Sequence, residues 1–223
     1  DITRAWYYAH MDDGLDAKTE ERYRTLCTKR AQHIPPQHIT GRAYFMGYEF
    51  CVDERVLVPR QDTEVLVEEA ISRMRNLEKP QILDMCTGSG CILLSLLLEL
   101  PQALGTGVDS ADYFRKNSGN DHMEYDMLIS NPPYIRTEDI EGLMEEVRFH
   151  DPVLALDGKE NGLYFYEKIT EQAGTYLKPG GWLMYEIGCD QGMDVSEIMK
   201  KNGFEQIEIK KDLAGLDRVV TGR

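Results

Sequence analysis

The chain predicts an α/β fold: a Rossmann-like, mostly parallel sheet covered by helices, with its last strands running antiparallel. Three observations carry this. Gln81-Ile82-Leu83-Asp84-Met85-Cys86 has the pattern of a strand, Thr87-Gly88-Ser89-Gly90 is a tight glycine loop, and Cys91 to Glu99 is a helix stopped by Pro101. Strand, glycine loop and helix in that order open a nucleotide-binding βα unit. Tyr125 to Ser130 and Trp182 to Ile187 are short apolar runs of the kind buried in a sheet. Phe204 to Ile209 and Arg218 to Thr221 make a closing pair of strands.

The totals are consistent with this class. The 223 residues allow one large domain, or one domain and a small appendage, and 42% hydrophobic residues suffice for a core. A net charge of −14 argues against a nucleic-acid backbone as the main partner, because phosphate binding rests on Lys and Arg. The five cysteines form no CxxC pair and read as reduced thiols, and the five histidines show no metal-ligand spacing, so no metal is expected. The apolar run from Cys91 to Leu100 is too short to span a bilayer, and no signal-peptide pattern opens the chain. A cytoplasmic, monomeric protein is the expectation. Asp1 stands without a preceding Met, so further residues are expected ahead of it.

Taken in order, residues 1–36 predict a small helical amino-terminal domain, incomplete at its start. Leu15, Tyr23, Leu26 and Cys27 give it a loose apolar stripe, and Pro35-Pro36 should end it. Residues 37–60 predict a linker. Tyr44-Phe45 and Phe50-Cys51-Val52 flank Met46-Gly47-Tyr48 as a β-hairpin, and Val56-Leu57-Val58 is a further short strand closed by Pro59. Residues 61–223 form the main domain. Asp62 or Thr63 caps a helix with Glu64 in its first turn and Leu66, Ala70 and Met74 on one face. Arg60 has no evident structural task.

After the glycine loop, Gly105 to Asp109 predicts the second strand. Asp109 lies about 20 residues beyond the loop, where a carboxylate takes the hydroxyls of a ribose. The loop lacks both the P-loop pattern and the full G-x-G-x-x-G. Between Asp109 and Tyr125 the interval is too short. A doubly wound sheet needs a helix, a strand and usually another helix there, roughly 30 residues or more. Residues are therefore expected to be missing, with chain breaks around Ala111 to Gly119. Further on, the acidic stretch from Glu138 to Glu146 predicts a solvated helix or lid. Tyr164 to Tyr176 is a helix, Lys178-Pro179-Gly180-Gly181 a turn, and Asp194 to Asn202 a helix with Gly203 behind it.

The chemistry concentrates at Asn131-Pro132-Pro133-Tyr134. Two prolines cannot donate to a sheet ladder, so Asn131 is fixed at the carboxyl end of the strand Tyr125–Ser130. In open α/β sheets that end borders the ligand crevice. The side-chain oxygen of Asn131 and the carbonyl of Pro132 make two rigid acceptors, suited to an NH2 group with its two donors. Tyr134 adds a flat face. The same tetrapeptide would also serve as a proline-stiffened turn.

Together these residues resemble the bacterial N5-glutamine methyltransferases, and within them the enzymes that modify peptide-chain release factors. The resemblance rests on His38 to Gly41, on Val58-Pro59-Arg60-Gln61-Asp62-Thr63-Glu64, on Ile82-Leu83-Asp84 with its loop, on Ile129 to Ile135, on Asn161-Gly162-Leu163 and on Asp217-Arg218-Val219. It implies a class I S-adenosylmethionine-dependent methyltransferase fold, whose sheet usually closes with an antiparallel pair. It implies that Cys86, Thr87, Gly88, Ser89 and Gly90 wrap the methionine part of S-adenosylmethionine and that Asp109 holds the ribose. Asn131 would stand between cofactor and substrate, with Asn131 and Pro132 catalytic and Asn131 to Tyr134 holding the target glutamine. The implied acceptor is the Gly-Gly-Gln glutamine of a class 1 release factor, which places the chain in translation termination. Cys86 departs from the family, which has a glycine there, and is expected to crowd the cofactor slightly. A ribosomal-protein glutamine methyltransferase, an adenine-N6 nucleic-acid methyltransferase sharing the NPPY motif, and a non-catalytic cofactor-binding module are the rival readings.

Overall fold

The computed structural model describes residues 2–109 and 124–223. Its main sheet has the order β4-β3-β5-β6-β8-β7 among the described residues. Here β3 is Gln81–Met85, β4 Leu104–Val108, β5 Tyr125–Ser130, β6 Leu177–Glu186, β7 Glu208–Lys211 and β8 Asp217–Gly222. Strands β4, β3, β5 and β6 run parallel, and β8 is antiparallel to both β6 and β7. The chain passes from β3 to β4 on one side and to β5 on the other. The strand order therefore reverses at β3, which opens a crevice at the carboxyl ends of β3 and β5.

The central strands are apolar on both faces because both faces are covered. Ile82, Met127, Ile129 and Met184 pack with helices α4 (Glu64–Met74) and α5 (Cys91–Glu99). Leu83, Leu128, Leu183 and Tyr185 pack on the other face with α8 (Tyr164–Ala173) and α9 (Gly192–Lys201). The hairpin of β1 (Arg42–Phe45) and β2 (Tyr48–Cys51) turns through Met46 and Gly47, both at positive φ, as a two-residue turn requires. Phe45 and Phe50 join the α4 side of the core, and the Met46 N–H donates to Glu64 Oε1 at 2.7 Å. That bond locks the hairpin to the first turn of α4.

The amino-terminal region contains α1 (Arg4–Ala9), α2 (Ala17–Ala31) and α3 (Pro36–Thr40). Thr3 and Asp16 cap the first two, and neither of those helices has a buried residue. The expected stripe is too sparse to form a core: Leu15, Tyr23 and Cys27 are exposed.

Several elements differ from the sequence reading. Pro36 opens α3 instead of ending the helical region, since the first turn of a helix needs no N–H from it. Among the described residues Val56 to Val58 pairs with no strand; Val58 is buried with Ala43 and Val52 in a small separate cluster. Lys178 to Gly181 lies inside β6, where the register with β5 slips between Tyr125 and Met127. That bulge absorbs the residues expected to form a turn. The penultimate strand starts at Glu208, while Phe204 is buried ahead of it. The acidic stretch after Tyr134 includes α6 (Glu145–His150), followed by α7 (Val153–Leu156). Helix α6 docks the end of the amino-terminal region: Glu146 pairs with Arg30 at 2.7 Å, Glu145 with His33 at 3.0 Å, and His150 Nε2 meets the Gln32 carbonyl at 2.9 Å. The expected breaks between Asp109 and Tyr125 fall almost wholly on residues 110–123, outside the described residues.

Candidate active site

The glycine loop bends sharply because three of its residues take positive φ: Cys86 at 60°, Gly88 at 52° and Gly90 at 77°. Cys86 thus adopts a glycine's conformation with a side chain, at a cost of roughly 1–2 kcal/mol. The loop is pinned from both sides. Thr87 N–H donates to the Val108 carbonyl at 3.1 Å, the Thr87 hydroxyl to Asp84 Oδ2 at 2.7 Å, and Gly88 N–H to Asp109 Oδ1 at 3.1 Å. A Cβ at Gly88 would meet nothing within 4 Å, so the loop presents bare backbone to open space.

The NPPY segment is fixed as firmly. The Ser130 hydroxyl donates to the Met85 carbonyl at 2.6 Å, tying the ends of β5 and β3 together. The Tyr134 carbonyl accepts from Gln191 Nε2 at 3.0 Å, and Ile135 N–H donates to the Leu156 carbonyl at 3.0 Å. Pro132 and Pro133 are buried. Burial pushes the Tyr134 phenol up to about 12, with nearby Glu186 adding to the effect.

One cavity of about 390 Å³ lies between these two loops, within the range of small-molecule sites. Cys86, Thr87, Gly88, Ser89, Asp109, Asn131 and Pro133 all line it. The structure therefore brings the predicted cofactor residues and Asn131 to one place. Gly90, the last residue of the loop, is the N-cap residue of α5 and is not part of the cavity lining. Pro132 and Tyr134 stand behind the lining, Tyr134 against the core on the α8 side.

Sequence reasoning missed several groups. Arg60 lines the cavity, and its guanidinium donates to Asp151 Oδ2 at 2.7 Å. The Asp151 side chain is fully buried, and burial raises its carboxyl above the usual range while Arg60 draws it back. Arg60 had already stood out as lacking a structural task; Asp151, 91 residues away, gave no signal. Thr63, read as a cap, makes no capping bond and lines the cavity instead. Two acids are buried among apolar strand residues. Asp84 and Glu186 are 0% and 2% exposed, and burial pushes both carboxyls up to about 7.

The residues suit a cofactor of the size and polarity of S-adenosylmethionine. The Gly88 backbone is open to the cavity, Asp109 stands at the end of β4 beside it, and the start of α5 supplies N–H groups without a side-chain cap. Among the described residues, no group of three or more His, Cys, Asp or Glu could hold a metal ion.

Comparison with known proteins gives four concordant findings. The model of the PrmC N-terminal domain matches residues 1–41. A release factor glutamine methyltransferase of Geobacter sulfurreducens is 38% identical over 100% of this chain and 84% of its own length. That alignment has 242 positions against 223 residues here, so the relative carries residues within the matched region that this chain lacks. A release factor glutamine methyltransferase of Clostridium acetobutylicum is 36% identical over 97% of this chain and 85% of its own. The solved structure of a release factor-specific protein-(glutamine-N5) methyltransferase from Alicyclobacillus acidocaldarius superposes with a TM-score of 0.53, at 30% identity, over 74% of this chain and 93% of that one.

Proposed function

The chain belongs to the release factor glutamine methyltransferases, and from that premise we propose how its cavity performs the reaction. The protein is a protein-glutamine N5-methyltransferase of the class I methyltransferase fold. The proposed acceptor is the side-chain nitrogen of the Gly-Gly-Gln glutamine in a class 1 release factor, and the proposed donor is S-adenosylmethionine. One observation carries the reading: a single cavity joins the glycine loop and Asp109 to Asn131 at the carboxyl ends of β3, β4 and β5.

In this reading Cys86 to Gly90 hold the methionine part of the cofactor and Asp109 takes the ribose hydroxyls. The bound cofactor supplies an electrophilic methyl group on a sulfonium. An amide nitrogen is a poor nucleophile, because its lone pair is delocalised into the carbonyl. Asn131 Oδ1, in the cavity lining, accepts one amide hydrogen and the Pro132 carbonyl, immediately behind it, the other; together they orient the nitrogen and favour positive charge on it as transfer proceeds. No strong base is needed beforehand; the proton leaves once the nitrogen has become acidic. Pro133 and Tyr134 keep this loop rigid against the core.

The helical residues 1–36 and the linker 37–60 give the release factor a surface on which to dock ahead of the methyltransferase domain, residues 61–223. The protein acts as a monomer in the cytoplasm, without direct nucleic-acid contact. Among the described residues no helix is long and apolar enough to cross a membrane. The test is mass spectrometry of a purified class 1 release factor after incubation with this protein and labelled S-adenosylmethionine. One added methyl on the Gly-Gly-Gln glutamine is expected. Label in adenine of added duplex DNA, with none on the glutamine, would overturn the reading.

A further inference from the structure

We propose that Glu186 is the positioning residue for Asn131: its carboxylate takes an amide hydrogen of Asn131 and so turns Asn131 Oδ1 toward the cavity. This rests on the glutamine-methyltransferase reading given above. The placement follows from the sheet. Ser130 of β5 and Tyr185 of β6 are partners in parallel register, so the next residues, Asn131 and Glu186, lie side by side at the strand ends. Asn131 lines the cavity, whereas Glu186 is buried behind it. The side chains of Thr63 and Asn131 bear on the Glu186 carboxyl and favour its ionised form, yet Oε2 has no hydrogen-bond partner among the described residues.

The chemistry then selects one orientation. An asparagine amide can present either an acceptor or two donors, and nothing in its shape distinguishes them. An ionised carboxylate only accepts, so Asn131 must turn Nδ2 toward Glu186 and Oδ1 toward the substrate. With the opposite flip, amide donors would face the two donors of the glutamine NH2, and the site would repel its own substrate.

The groups facing the carboxyl come from several elements: Asp62 and Thr63 ahead of α4, Cys91 from α5, Tyr134 after β5, Tyr166 from α8 and Arg218 from β8. Arg218 draws the carboxyl down and Asp62 pushes it up, but burial is the largest influence and holds it at about 7. The orientation of Asn131 is therefore itself sensitive to pH. Above about 7 the carboxylate is a pure acceptor. Once protonated it can donate to Oδ1, and the flip is no longer selected. Methyl transfer should fall as pH drops through about 7.

The test compares wild type with Glu186→Gln on an intact class 1 release factor, with kcat measured from about pH 6 to about 9. Wild type should show an acid limb centred near pH 7. Glu186→Gln should abolish that limb and lower the plateau about tenfold, with the KM for S-adenosylmethionine changed less than about twofold, because Glu186 does not line the cavity. Its Tm should match or exceed that of wild type, since a neutral amide replaces a buried charge. Glu186→Asp keeps the acceptor and should keep an acid limb. In a double-mutant cycle, Glu186→Gln should add no further loss to Asn131→Ala, because Glu186 acts only through Asn131. Losses that multiply, or a Glu186→Gln enzyme with the wild-type limb and plateau, would overturn this inference alone. A wild type that transfers nothing to glutamine would overturn the parent reading with it.

Discussion

Gly162→Ala should displace the NPPY loop without touching the cavity. Gly162 has φ +73°, and a Cβ there would lie 2.4 Å from the Tyr134 carbonyl oxygen and 2.7 Å from Gln191 Nε2. These two atoms form one hydrogen bond of 3.0 Å, and the same Gln191 nitrogen reaches the Gly162 carbonyl at 3.2 Å. The left-handed backbone costs an alanine about 1–2 kcal/mol, and the disrupted hydrogen bond about 1 kcal/mol more. A loss of about 2–3 kcal/mol corresponds to a fall in Tm of about 4–12 °C for a chain of this length. To reach a tolerable 3.0 Å the Tyr134 carbonyl must retreat by about 0.6 Å. Tyr134 is only three residues past Asn131, and two buried prolines transmit the movement stiffly. A misplacement near 1 Å costs about 10²-fold in rate, so kcat should drop at least about tenfold. The affinity for cofactor should hold, because the glycine loop hangs from β3 and β4. Differential scanning fluorimetry and single-turnover methyl transfer measure both quantities. A lowered Tm with a wild-type rate would refute the claim that this contact sets the position of Asn131; an unchanged Tm would refute the strain argument itself.

Other outcomes follow from the same geometry. Asp109→Ala removes the charge proposed for the ribose and the acceptor that pins Gly88 N–H, so calorimetry should show S-adenosylmethionine binding weakened at least about tenfold; an unchanged Kd would place the ribose elsewhere. Asn131→Ala should lose methyl transfer by about 10³-fold or more with little change in Tm, and Asn131→Asp should also fail, because its charge disturbs the site; transfer retained by the alanine variant would dismiss Asn131 as the acceptor. Asp84 is an acid whose folded pKa, about 7, lies above its ordinary 3.8. The native state therefore holds its proton more tightly than the unfolded chain, and stability falls as pH rises between those values. Asp84→Asn should flatten that part of the Tm-versus-pH curve, and a variant curve parallel to wild type would mean that Asp84 is not charged against burial.

Much of the fold was legible because local patterns and the sheet agree. Cys91 to Glu99 and Tyr125 to Ser130 occupy the spans that their apolar runs and flanking Gly and Pro imply. The misreadings came where tertiary contacts outweigh local signals. A proline pair looks like a stop, yet Pro36 starts a helix because its missing N–H is not needed there. Lys178-Pro179-Gly180-Gly181 has turn chemistry, yet a bulge against Tyr125 and Met127 carries it inside a strand. Val56 to Val58 has the composition of a strand and, among the described residues, no strand to pair with.

The site was legible in the same uneven way. Motifs expose residues whose backbone does the work: a glycine loop is visible because only small residues turn so sharply, and NPPY because two prolines end a strand. Charged partners brought together across the chain leave no such trace. Arg60 and Asp151 are 91 positions apart, and each alone looks like a surface charge. Glu186 stands one residue from the end of the apolar run Trp182 to Ile187, and nothing local says what its carboxylate meets. Its burial beside Asn131 appears only when β5 and β6 are set in register. A fold that keeps Asp84, Asp151 and Glu186 buried around one cavity accepts a cost in stability at neutral pH, because burial opposes the charge on each. Packing alone would favour apolar residues at these three positions. Of the three, Glu186 at the end of β6 is the one that the proposal above sets beside Asn131, where it would hold a neutral amide in one orientation.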